Sequence, residues 1–224
     1  MSESLAALFI VAAMSTALVI SGIKKVPGIG VLLSFAGMIA AFMLKHTNLA
    51  GIGFVPQENW LATIGLSLLL GAGTAFLGTI LIDPLAEKIT GVPHDLSLVD
   101  GVRGNLKSLL SLLLLVWVTV AFLEEIIFRG FMMTEIAKFL GTGGLAMVIN
   151  ILVTAVVFGL AHWYQGKSGV LSTAMIGILI SIIFVLSGLN LWLVILIHGF
   201  IDTAALILMY RDWDKPLKML LWKS

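Results

Sequence analysis

Apolar residues in this chain fall in long runs, at 5–23, 29–44, 60–82, 106–140, 145–163, 170–186 and 191–210. A helix of about 20 residues rises 1.5 Å per residue and so crosses a hydrocarbon core about 30 Å thick. The pattern therefore predicts an all-α, polytopic integral membrane bundle of seven to eight transmembrane helices, seven by direct count. Breaks between runs carry ordinary turn chemistry: Lys24-Lys25-Val26-Pro27-Gly28, residues 51–59 with Pro56, Gly141-Thr142-Gly143-Gly144, and Ser187-Gly188. No linker or low-complexity stretch divides the chain, so residues 1–224 read as one integral membrane domain. The longest polar segment, 83–105, holds Glu87, Lys88, His94, Asp95, Asp100 and Arg103, and reads as a surface loop with a short amphipathic helix. Met1 to Leu5 contain Glu3 but no Lys or Arg, unlike the basic start of a secretory signal, so the first run reads as a retained span.

Composition sharpens this picture. The chain is 60% hydrophobic and 11% charged, where soluble domains carry about 25% charge. An ordinary cytosolic enzyme is excluded. With 13 Lys plus Arg against 12 Asp plus Glu there is no basic excess to bind nucleic acid. The lack of cysteine excludes disulfides, thiol catalysis and thiolate metal sites. On alternate loops, one side collects Lys24, Lys25, Lys88, Arg103, Lys107, Lys167, Arg211, Lys215, Lys218 and Lys223, the other only Lys45, Arg129 and Lys138. Because basic loops stay in the cytosol, this bias predicts the N-terminus outside and the C-terminus cytosolic, as an odd number of spans requires.

Ionisable groups within a span cost about 2.5 to 3.5 kcal/mol on insertion scales, so each marks a functional hypothesis. They cluster in three runs: Glu124, Glu125 and Arg129 in the fourth, His162 in the fifth, His198 and Asp202 in the seventh. Glu125 and Arg129 stand four apart and share a helix face, which predicts a pair. Glu124 is rotated about 100° away and needs a partner from another helix. Counting outward from the Gly141 to Gly144 turn, Glu124 and His162 both lie roughly 27 to 30 Å along their helices, in the cytosolic half of the membrane, if the fourth run is one long helix tilted or kinked at Gly130. His198 and Asp202 again share a face. A carboxylate beside an imidazole can take a proton from water and later deliver it to a leaving amine, while a second imidazole donates to the developing oxyanion. The same groups would equally hold a divalent ion such as zinc, through Glu124, His162 and His198, to activate the water instead. No HExxH helix is present, so no motif requires a metal.

Glu124-Glu125-x-x-x-Arg129, Phe158-x-x-x-His162 and His198-x-x-x-Asp202, in that order on successive membrane helices, resemble the CPBP family (CAAX protease and bacteriocin-processing enzymes, also called Abi) of intramembrane endopeptidases. The motifs lie within 106–210, and the Gln165-Gly166 to Gly169 turn looks like bacterial members, which implies a prokaryotic plasma membrane. The resemblance implies a peptidase acting on a membrane-associated protein or peptide, with its site open to the cytosol. It implies that Glu124 and His162 activate the water, that His198 and Asp202 stabilise the oxyanion, that Glu125, Arg129 and Phe158 support them, and that no cofactor is required. Prenyl-protein peptidases carry Asn where Asp202 stands, and a carboxylate cannot donate as an amide does.

Two other classes compete with this reading. One is a non-catalytic peptide-binding or bacteriocin-immunity membrane protein of the same fold, which would not need so costly a polar set. The other is a proton-coupled transporter, disfavoured by the lack of inverted repeats. Trp60, Trp163, Tyr164, Trp192, Trp213 and Trp222 sit near run ends and read as interface anchors. Gly71, Ala75 and Gly78 form a small-residue stripe suited to close helix approach. His46 and His94 read as solvated, and the basic tail suits an anionic leaflet.

Overall fold

The computed structural model describes residues 3–43, 47–220 and 222; Leu44, Lys45, His46 and Lys223 lie outside them. Every regular element among the described residues is helical. The principal helices are α1 (Glu3–Ile23), α2 (Pro27–Met43), α3 (Trp60–Thr90), α4 (Leu106–Leu140), α5 (Gly144–Ala161), α6 (Gly166–Leu186) and α7 (Leu191–Tyr210), followed by the short α8 (Asp214–Lys218). The stretches containing α3 to α7 are long and apolar enough to cross a membrane, whereas α2 and the apolar part of α1 are shorter. The protein is a polytopic helical membrane bundle.

Local chemistry sets the boundaries. Asn59, Asn105 and Asn190 precede α3, α4 and α7, and each side chain accepts a hydrogen bond from the backbone N–H three residues on, satisfying donors that a helix start leaves open. Pro27 opens α2, where its missing N–H costs nothing. Gly91 ends α3 with φ of 70°, a conformation a side chain would strain. The expected amphipathic helix in the 83–105 segment is present, but as the last turns of α3 rather than as a separate element.

Burial is inverted relative to a soluble protein. Leu61, Leu69, Leu114, Leu145 and Leu186 are exposed, while Ser34, Ser67, Thr154 and Ser181 are wholly buried. Lipid solvates the apolar exterior, and polar or small residues hold the helices together inside. The most enclosed span is α7, packed against α3, α4 and α6. A Cβ on Gly71 would lie 2.6 Å from Phe200 Cβ and 2.8 Å from the Ile197 carbonyl oxygen, so the glycine permits the expected close approach of α3 and α7. Gly199 accepts the Trp117 ring in the same way, joining α7 to α4. Gly78 meets nothing nearer than 3.9 Å and is not part of that approach.

The α1–α2 turn, the loop after α3, the α5–α6 turn and the tail gather at one end. Lys25 pairs with Asp95 at 3.6 Å, the Asp95 N–H donates to the Gln165 carbonyl, and Lys218 reaches Glu87 at 2.6 Å. This grouping of the lysine-rich loops is the one the alternation of spans predicts. Arg129 is a correction to the charge count, since it lies inside α4 and on no loop. His94 is another: it is largely enclosed, 3.5 Å from Asp83 and 3.1 Å from Gln165, rather than solvated.

Arg103 ties the tail down, reaching Asp214 with two nitrogens and Asp100 and Asp212 besides. Partial burial pushes the Asp214 carboxyl up, but hydrogen bonds and charge from Arg103 outweigh it and hold it below the ordinary 3.8. A lowered carboxyl stabilises the docked tail above its ordinary value and ceases to as pH falls through the lowered one. Arg103→Ala is expected to expose Lys215 and Lys218 to trypsin at neutral pH, whereas the wild-type tail loosens only in strong acid, as hydrogen exchange at a series of pH values would read.

Candidate active site

Helix α4 is one continuous element, as the matched depths of Glu124 and His162 require, but its irregularity is wider than a kink at Gly130. It contains two π-helical stretches, Val116–Val120 and Ile126–Met132, with Glu124 and Glu125 on the α-helical turn between them. Such stretches recur at functional sites because the extra residue per turn re-aims side chains. Gly130 lies in the second, where a Cβ would press 3.0 Å from the Ile52 carbonyl oxygen.

Glu125 and Arg129 form the expected pair, at 2.7 Å with no exposure of either side chain. The guanidinium also donates to Ser181 Oγ at 3.3 Å and to the Gly177 carbonyl at 3.1 Å, both on α6. A buried guanidinium left partly unsatisfied would be costly, and α6 meets that need. Gly177 makes room for it, since a Cβ there would stand 3.0 Å from Phe158 and 3.5 Å from Arg129. Glu125 Oε1 takes a second bond, from His198 Nδ1 at 2.7 Å. His198 Nε2 lies 3.5 Å from Asp202 Oδ2, so the imidazole is held between two carboxylates.

Glu124 faces elsewhere, as the helical rotation predicts. Its Oε2 lies 4.0 Å from His162 Nε2 and has no hydrogen-bond partner among the described residues. His162 immediately follows the last residue of α5, and its Nδ1 stands 2.8 Å from the Phe158 carbonyl. A carbonyl can only accept, so Nδ1 carries a proton, and Nε2 is the nitrogen turned toward Glu124. Phe158 joins the two halves of the cluster: its ring packs 4.8 Å from His162, 6.2 Å from His198 and 4.6 Å from the Arg129 guanidinium.

Glu124 and His162 line a small cavity with room for about one water molecule. Leu18 and Ser21 of α1 and Pro27 and Val31 of α2 form its far wall, and Tyr164 another side. His198 and Asp202 are not among its lining residues. Close approach of α1 keeps the cavity narrow, because Gly22 sits directly against the Ala161 carbonyl. Tyr164 is thus not simply an interface anchor. The α6 partners of Arg129 and the α1–α2 wall also lay beyond sequence reasoning, because backbone carbonyls and glycines carry no ionisable signal.

A shared metal does not fit the residues as placed. Among the described residues no three His, Asp or Glu side chains converge to hold an ion, and both His198 nitrogens already face carboxylates. Arg129→Met, leaving Glu125 buried with one partner fewer, is expected to cost about 3 to 5 kcal/mol, while a Glu125→Met, Arg129→Met double variant loses less. Melting temperatures of the purified variants in detergent would measure both.

Residues 106–204 match the family model described as Type II CAAX prenyl endopeptidase Rce1-like. No curated protein and no solved structure matches the chain. The matched segment is the one that carries Glu124, Glu125, Arg129, Phe158, His162, His198 and Asp202, and it is similar to the Rce1-like type II CAAX prenyl endopeptidases, in keeping with the CAAX-protease (CPBP) family that its motifs resemble.

Proposed function

We propose that this chain is an intramembrane endopeptidase that hydrolyses a peptide bond in a membrane-associated protein or peptide, with water activated by Glu124 and His162. One observation carries the reading: an unpartnered carboxylate oxygen and an imidazole Nε2 face each other at 4.0 Å beside a cavity of one-water size. A water between them gives up a proton and attacks the scissile carbonyl carbon. The C–N bond then breaks, and the proton passes to the leaving amine. His198, its ring fixed by Glu125, donates to the oxyanion from Nε2; Asp202 keeps that proton in place until the oxyanion forms. Glu125, Arg129 and Phe158 position the others, and the reaction needs no metal or other cofactor.

The site lies at the end where the lysine-rich turns gather, His162 being next to the α5–α6 turn. The positive-inside bias then supports a site in the cytosolic half of the membrane, with the N-terminus outside and the C-terminus in the cytosol.

Comparison of protein termini by mass spectrometry, between hosts carrying wild type and Glu124→Gln at equal abundance, tests this. The expected result is at least one terminus present only with wild type and lost again in His162→Ala. Matching proteomes would overturn the peptidase reading.

A further inference from the structure

An oxyanion site works through fixed donors aimed at the developing charge, and one imidazole supplies only one. The polar groups lining the cavity can be sorted by what they have left to give. Glu124 as a carboxylate only accepts. His162 commits its Nδ1 proton to the Phe158 carbonyl, and Ser21 Oγ donates to the Leu18 carbonyl at 2.8 Å. Tyr164 differs. Its hydroxyl accepts a weak bond from Gln165 Nε2 at 3.4 Å, and among the described residues nothing accepts its hydrogen. The ring leans on His162 at 5.5 Å, tilted by 37°, which fixes the phenol beside the base. Gln165 is itself held, by His94 at 3.1 Å and by Thr173 at 3.2 Å, so the hydroxyl is oriented from behind.

We propose that Tyr164 is a catalytic residue of the hydrolytic site, its O–H donating a hydrogen bond to the oxyanion alongside His198. This assignment rests on the peptidase reading above. The phenol keeps its own proton: the water gives up a proton to Glu124 as its oxygen bonds to the carbonyl carbon, the carbonyl π pair moves to oxygen, and the phenol donates a hydrogen bond to that oxygen. When the carbonyl re-forms, the C–N bond breaks and the proton held by Glu124 passes to the leaving amine. The donor that the carboxylate of Asp202 cannot be is thereby supplied from the α5–α6 turn.

The test uses the full chain in detergent or lipid discs. Its probes are a synthetic peptide spanning the junction mapped from the terminus comparison and the phosphinate analogue of that peptide, whose tetrahedral centre mimics the oxyanion. For Tyr164→Phe, kcat is expected to fall on the order of 100-fold with KM within about twofold of wild type. Phosphinate affinity should weaken by a similar factor, because a transition-state mimic loses what the transition state loses. Tyr210→Phe serves as a control with unchanged rates, and melting temperatures of both should match wild type. A Tyr164→Phe protein with wild-type kcat, or one that loses only KM, overturns the assignment while an inactive Glu124→Gln leaves the peptidase reading standing. If no junction is found, the peptidase reading fails and takes this assignment with it.

Discussion

A guanidinium within a membrane span must find all its partners inside the protein, and much of the centre of this bundle follows from how Arg129 does so. Its charge pairs with Glu125 one turn away, and its remaining donors draw on Ser181 and the Gly177 carbonyl, which brings α6 against α4. Glu125, held from one side, in turn holds His198 of α7. Three helices are thus fixed by one carboxylate and one cation. Fixing Glu125 inward also turns the neighbouring Glu124 toward α5 and the cavity, so the Glu125–Arg129 pair and the approach of Glu124 to His162 follow from a single helical rotation.

The two π-helical stretches in α4 belong to the same logic. The regular α-helical turn between them keeps the rotation of about 100° that parts Glu124 from Glu125, and the wider stretches flank it on both sides. The second stretch contains Arg129 and Gly130, the points at which the chain most needs side-chain and backbone room.

Much of this was legible beforehand, for identifiable reasons. Long apolar runs encode spans directly, and charge in such runs is so costly that Glu124, His162, His198 and Asp202 stood out without any structure. Spacing of four predicted Glu125 with Arg129 and His198 with Asp202, and counting from the glycine turn brought Glu124 level with His162. The link from Glu125 to His198 was not legible, because spacing within a helix says nothing about which faces meet between helices. His94 was misread for a related reason: a polar residue near a span end looks solvated until the packing of loops around it is known, and the same packing is what brings Tyr164 to the cavity. Gly177 and Gly22 were invisible, since their contribution is the absence of a side chain.

The cavity wall built by Leu18, Ser21, Pro27 and Val31 lies outside the matched segment 106–204. The cavity that Glu124 and His162 line is therefore closed by two parts of the chain, one inside the matched segment and one outside it. For inhibitor chemistry this makes the hairpin part of the target. A small molecule seated there would touch Glu124 and His162 on one side and Leu18, Ser21, Pro27 and Val31 on the other, so its fit would depend on the α1–α2 hairpin as much as on the polar pair.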